Sequence, residues 1–154
     1  MAQLAAGASA PDFELAGAEG PIRLADFKGK ALVLYFYPKD DTTGCTREAQ
    51  DFTALAADFA KAGVAVVGAS KDSLASHAKF TAKHALAIPL GSDPEGLVID
   101  RYGSWVEKTL YGRNYMGIDR STFLIDKAGQ VVRVWRKVKT PGHAAEVLKA
   151  AQSL

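Results

Sequence analysis

At 154 residues, 48% apolar and 23% charged, the chain has the size and composition of one globular domain and not of a disordered segment. It is long enough to bury about two-thirds of the surface its unfolded form exposes. Its 19 basic and 17 acidic side chains leave a formal charge of +2, too small a surplus to call for nucleic acid or a membrane surface as partner. The longest strongly apolar run, Ala31 to Tyr37, spans 7 residues, against the roughly 20 that cross a bilayer. The Ala-rich N-terminus carries no basic segment and meets Pro11 and Asp12 early, unlike a secretory signal. The expectation is a soluble, cytoplasmic single domain covering residues 1–154.

In chain order, the N-terminal 25 residues offer short strand-like pieces. Ala31 to Tyr37 is a continuous apolar run, as in a strand covered on both faces, and the polar cluster Asp40-Asp-Thr-Thr-Gly44 ends it. From Thr46 to Ala62 the apolar positions Ala49, Phe52, Leu55, Ala56, Phe59 and Ala62 recur every three or four residues, one face of an amphipathic helix. Gly63 sits where a glycine ends a helix. Val64 to Ala69 reads as a second buried strand. Ser73 to His84 reads as a helix with Ser73 as N-cap, and Pro94 to Tyr102 as a short one. Ser121 to Asp126 and Gln130 to Val138 form a predicted hairpin. Pro141 to Leu154 closes the chain as a helix, with Thr140 as N-cap and Pro141 in the first position. This alternation has the order of a thioredoxin-like α/β sandwich, a central mixed sheet flanked by helices, although the order alone fits other α/β folds.

Cys45 is the sole cysteine, so no internal disulfide framework exists. His77, His84 and His143 show no metal-ligand spacing and are expected as partly exposed helix residues; no metal or cofactor is assigned. The basic residues Arg133, Arg136, Lys137 and Lys139 read as a solvated edge, and Trp105, Tyr111, Tyr115 and Trp135 as packing residues. A lone cysteine is most often a small buried hydrophobe. Cys45, however, falls in the first turn of a helix, where unpaired N–H groups and the macrodipole favour an anion and lower a thiol's pKa.

The string Pro38-Lys-Asp-Asp-Thr42-Thr-Gly-Cys45 resembles the P-x-x-x-T-x-x-C motif of peroxiredoxins. Tyr35 to Ala49, YFYPKDDTTGCTREA, is similar to the Q-type subfamily, the bacterioferritin comigratory proteins. Ala10-Pro-Asp-Phe13 and Tyr102 to Asp126 extend the likeness over nearly the whole chain. The resemblance implies a thiol-dependent peroxidase acting on hydrogen peroxide and organic hydroperoxides. It implies Cys45 as the peroxidatic cysteine and Thr42 as a hydroxyl partner of the thiolate and the incoming peroxide. Pro38 would shield the site from water. Arg120 would hold the thiolate charge and the oxygens of the lengthening O–O bond, and Glu48 would orient that arginine. A thiol of pKa about 8.5 is a few per cent thiolate at neutral pH, so acidifying it gains roughly 30-fold at most and less once nucleophilicity falls. The larger share must come from stabilising the O–O bond as it breaks.

Many Q-type members carry a second, resolving cysteine five residues after the first. Here that position is Gln50, and Thr43 replaces a common proline. The sulfenic acid would then be reduced by a thiol from outside, from glutathione, glutaredoxin, thioredoxin or a second copy, in a one-cysteine cycle; a monomer is expected, with a dimer as the alternative. A thioredoxin-like disulfide reductase would need C-x-x-C, and Thr42 occupies its first position. A stoichiometric redox sensor and an inert scaffold are the other readings, separable by turnover and by thiol reactivity.

Overall fold

Ala31–Phe36 (β3) is the middle strand of a five-stranded sheet, and all six of its residues are buried. The computed structural model describes residues 4–154. Two short strands, Glu14–Leu15 (β1) and Ile22–Arg23 (β2), pair with each other before β3. Helices Thr43–Ala54 (α1) and Ala56–Lys61 (α2) follow, then strand Val64–Ser70 (β4), helix Leu74–His84 (α3), strand Leu90–Ser92 (β5) and helix Leu97–Arg101 (α4). Strands Trp105–Leu110 (β6), Arg113–Ile118 (β7), Ser121–Ile125 (β8) and Val131–Trp135 (β9) precede the last helix, His143–Gln152 (α5). The main sheet has the order β5-β4-β3-β8-β9. β3, β4 and β5 run parallel, while β8 is antiparallel to both β3 and β9, which makes the sheet mixed.

Strand pleating sends alternate residues of β3 to opposite faces. Val33 and Tyr35 join Ala49 and Phe52 of α1, Phe59 of α2, Phe80 of α3 and Val147 of α5 in one core cluster. Leu32, Leu34 and Phe36 join Phe13, Leu15, Val98, Ile99, Tyr102 and Phe123 in the other. Apolar residues on both faces are what the unbroken run predicts.

Several expectations are corrected. The single helix expected over 46–62 breaks at Leu55, whose φ of −100° and ψ of 5° leave helical geometry. Its N–H is shared between the carbonyls of Asp51 and Phe52, and the jog still leaves Phe52 and Phe59 in contact, ring centroids 5.9 Å apart. The last helix begins at His143 with Gly142 as N-cap at φ 75°, later than the expected Thr140 cap. The His143 N–H instead closes a turn onto the Thr140 carbonyl, and the ring sinks between Phe52 and Trp135. His77 and His143 are buried, against the expected partial exposure. Each finds partners from distant strands: Gly91 O for His77 and the Thr122 hydroxyl for His143.

Residues 105–118, without an assignment from the sequence, form the antiparallel β6–β7 hairpin outside the main sheet. Its turn places Tyr111 at φ 51° and Gly112 at φ 76°, the paired positive values of a type I′ turn. Tyr111 is 96% exposed and Tyr115 is also exposed, so neither is a packing residue. Arg136 departs from the expected solvated edge. Its guanidinium lies over the Phe123 ring and bonds the carbonyls of Leu4, Tyr102 and Gly103.

Candidate active site

The register between β3 and β8 builds the site. Phe36 pairs with Ser121, so Arg120 lies beside the end of β3, where the chain turns towards Cys45. The backbone around Arg120 is fixed from both sides: Asp119 N–H donates to Ser104 O at 2.7 Å, and Val138 N–H donates to Arg120 O at 3.0 Å.

After β3 the chain passes exposed Pro38 and buried Asp40, then turns at Asp41 with φ 58°. Thr42 is the extended N-cap of α1, and its carbonyl accepts the first helical bond, from Thr46 N–H at 2.8 Å. Cys45 is thus the third helical residue, in the turn whose N–H groups and dipole favour negative charge. Its residue is 1% exposed.

Arg120 Nη2 donates to Cys45 Sγ at 3.2 Å, and Nη1 donates to Glu48 Oε1 at 2.7 Å. One planar guanidinium therefore bridges the thiol and the carboxyl a turn further along α1. Burial pushes the Glu48 carboxyl up to about 7, with the Arg120 charge and hydrogen bond opposing the rise. Burial pulls Arg120 down, yet Glu48 and Cys45 together hold it above its ordinary value. Among the described residues no group bonds Glu48 Oε2 or the buried hydroxyl of Tyr35. Burial, then the nearby charges of Glu48 and Cys45, raise that phenol well above its usual range.

Cys45, Arg120 and Glu48 are brought together as expected. Thr42 stands at the helix entrance with its hydroxyl donating to Lys39 O at 2.9 Å, so its proton is directed away from the sulfur in this conformation. Pro38 lies at the surface where the loop begins. Gly44 was not singled out from the sequence, nor were Asp40 and His77, which pair with each other at the loop between β3 and α1. An ideal Cβ on Gly44 would lie 3.2 Å from Arg120 Nη2, so the bare backbone admits the guanidinium. One group of potential metal ligands occurs among the described residues, Asp40, Asp72 and His77. Its oxygens already accept from Tyr37, Ser70, Ser76 and the Asp40 amide, which makes it a hydrogen-bond network.

A cysteine at a helix start with arginine on its sulfur is the arrangement that the motif resemblance implies. Residues 6–134 match the AhpC/TSA family. Peroxiredoxin Bcp of Bacillus subtilis is 46% identical over 149 residues, covering 96% of this chain and 95% of that protein. The chain belongs to the peroxiredoxin family. A putative peroxiredoxin bcp of Coxiella burnetii is 49% identical over 143 residues, 92% of this chain and 95% of that one. The solved structure of the Xanthomonas campestris bacterioferritin comigratory protein, described with alkyl peroxide reduction activity, superposes with a TM-score of 0.90. It has 44% identity and covers 96% of this chain and 98% of its own. A Xylella fastidiosa PrxQ mutant gives a TM-score of 0.91 at 36% identity, covering 99% and 98%. The fold is the thioredoxin-like one shared by these peroxiredoxins, and the activity of the family is thiol-dependent peroxide reduction. No helix among the described residues is long and apolar enough to cross a membrane.

Proposed function

We propose that Cys45 is the peroxidatic thiolate of a one-cysteine peroxiredoxin that reduces hydrogen peroxide and organic hydroperoxides. The observation that carries this reading is the guanidinium of Arg120, 3.2 Å from Sγ. The thiolate attacks one peroxide oxygen; the S–O bond forms as the O–O bond breaks, sulfur becomes a sulfenic acid, and the other oxygen leaves as water or alcohol after taking a proton. Arg120 faces both the sulfur and the oxygens gathering charge, the kind of preorganised donor that lowers such barriers. Glu48 holds the fork of Arg120, Pro38 screens the entrance, and the Thr42 hydroxyl turns from Lys39 towards the peroxide when it enters.

Since Cys45 is the sole cysteine, an external thiol completes the cycle: it condenses with the sulfenic acid, releasing water, and a second thiol breaks the mixed disulfide. Thioredoxin, glutaredoxin and glutathione are the reductants proposed. The chain works as one cytoplasmic domain over 1–154, a monomer by preference and a dimer as the alternative, without nucleic acid or membrane. Steady-state peroxide consumption against a panel of these thiols tests the reading. Many turnovers per chain, abolished in Cys45→Ser, support it. One peroxide consumed per chain with reductant present overturns it in favour of a sensor.

A further inference from the structure

Cys45 is 1% exposed, which suits attack on a peroxide but not attack by a reducing thiol. A peroxide oxygen is small and can reach a buried sulfur along a narrow approach. The reducing sulfur is larger, carries its own molecule behind it and must approach opposite the departing hydroxyl. The cysteine-bearing turn therefore has to open between the two halves of the cycle, and the contacts that hold it shut decide how often it does.

Those contacts concentrate on Asp40, the residue before the left-handed turn at Asp41. The Asp40 side chain is 3% exposed. Its Oδ1 accepts from Tyr37 Oη at 2.6 Å, and its Oδ2 accepts from Ser76 Oγ at 2.8 Å and faces His77 Nδ1 at 2.7 Å. Its N–H donates to Asp72 Oδ2 at 2.9 Å. The imidazole is itself held at its other nitrogen, where Nε2 donates to Gly91 O of β5 at 3.0 Å. A rigid helix and a sheet strand thus grip a loop residue through one buried pair. The next residue, Asp41, is tied to α3 too, by Lys83 at 2.7 Å and His84 at 2.8 Å. Asp41 and Lys83 are exposed and His84 is half-buried, and water screening leaves contacts to an exposed carboxylate weak.

We propose that the Asp40–His77 pair is a latch on the active-site turn, so that His77 and Asp40 are positioning residues for both half-reactions. Closed, the latch sets the direction in which the chain enters α1 and so places Sγ against Arg120 for oxidation. Open, it releases Pro38 to Cys45 from α3 and lets the sulfenic acid meet the external thiol. The proposal rests on the peroxidase reading of the site.

The test measures the two half-reactions separately in the full chain, oxidation by hydrogen peroxide in stopped flow and reduction of the sulfenic form by glutathione and by dithiothreitol. His77→Leu and Asp40→Asn should slow oxidation about tenfold and speed reduction by a similar factor. His77→Asn, which keeps a polar side-chain group near the position of Nδ1, should return both rates towards wild type. Val98→Ala, in the core on the opposite face of the sheet, lowers the melting temperature without touching the latch and should leave the ratio of the two rates unchanged. Rates that move in the same direction in the latch variants, or a ratio equally altered by Val98→Ala, overturn the latch. If His77→Leu does not fold, Asp40→Asn, of nearly the same shape, decides alone. A wild-type chain that takes up no peroxide oxygen at Cys45 instead overturns the peroxidase reading itself.

Discussion

A single methyl group separates Gly44 from a clash with Arg120: an ideal Cβ there would lie 3.2 Å from Nη2, the nitrogen that also bonds Cys45 Sγ. The guanidinium cannot retreat freely, because Nη1 is bonded to the buried carboxyl of Glu48. Gly44→Ala should therefore push Arg120 off the sulfur by a few tenths of an ångström and lower the rate of Cys45 oxidation about tenfold. Gly44 is helical and does not have a positive φ, so the same change should raise helix stability by about 0.5–1 kcal/mol. A variant that melts higher and reacts faster with peroxide would contradict the assigned geometry.

Arg120→Lys retains the charge but replaces a planar fork, which spans sulfur and carboxyl together, with a single ammonium. Losing a comparable preorganised donor costs about 100- to 1,000-fold, and the peroxide rate should fall within that range. Stopped-flow oxidation at saturating reductant measures it. An unchanged rate would remove Arg120 from the mechanism.

Two buried groups give opposing pH dependences of stability. Glu48 is pushed up to about 7 by burial, so the native state holds a proton that the unfolded state has released, and stability falls as pH rises from about 4.5 to 7. His143 is lowered to about 4, first by burial, with Arg120 adding to the effect. There the unfolded state binds the extra proton, and stability falls as pH drops from 6.5 towards 4. Each slope is at most about 1.4 kcal/mol per pH unit, and in the wild-type chain they largely cancel between about pH 4.5 and 6.5. Urea unfolding of Glu48→Gln should show stability rising with pH across this window, and His143→Gln the reverse. Parallel profiles in all three proteins would refute the compensation.

Gln50→Cys would restore the second thiol at the position common among Q-type relatives. Both residues lie in α1, where positions five apart have Cα atoms about 8.6 Å from each other, beyond the roughly 7 Å that a disulfide spans. A 45–50 disulfide therefore requires the first turns of α1 to unwind, and helix ends open most cheaply. After one equivalent of peroxide the variant should lose two hydrogens by mass and some helix by circular dichroism. The parent chain under excess peroxide should proceed to sulfinic acid. Equal sulfinic acid in both proteins would show that this helix stays wound.

The elements around Cys45 were legible because their signals are local. An apolar run covered on both faces, a polar turn and a helical period place the sulfur at a helix start without further information. The β6–β7 hairpin was not, because most of its residues are exposed on both faces and no two-residue alternation survives. The burial of His77 and His143 depends on Gly91 O and the Thr122 hydroxyl, 14 and 21 residues away, which a helical pattern cannot reveal. Arg120 was found through the family motif alone. Gly44 and Asp40 read as ordinary turn residues until the groups facing them were known.

Arg120 follows Cys45 by 75 residues, and it reaches the sulfur because Ser121 pairs with Phe36 across the middle of the sheet. During synthesis at about 5–20 residues per second, the thiol is therefore made some 4–15 seconds before its guanidinium. Over that interval the nascent chain carries a cysteine without the donor proposed to speed its reaction with peroxide. Late closure of β8 onto β3 makes the completed sheet the event that arms the enzyme, and unfinished or truncated chains should remain poor peroxide scavengers however much of α1 they have already formed.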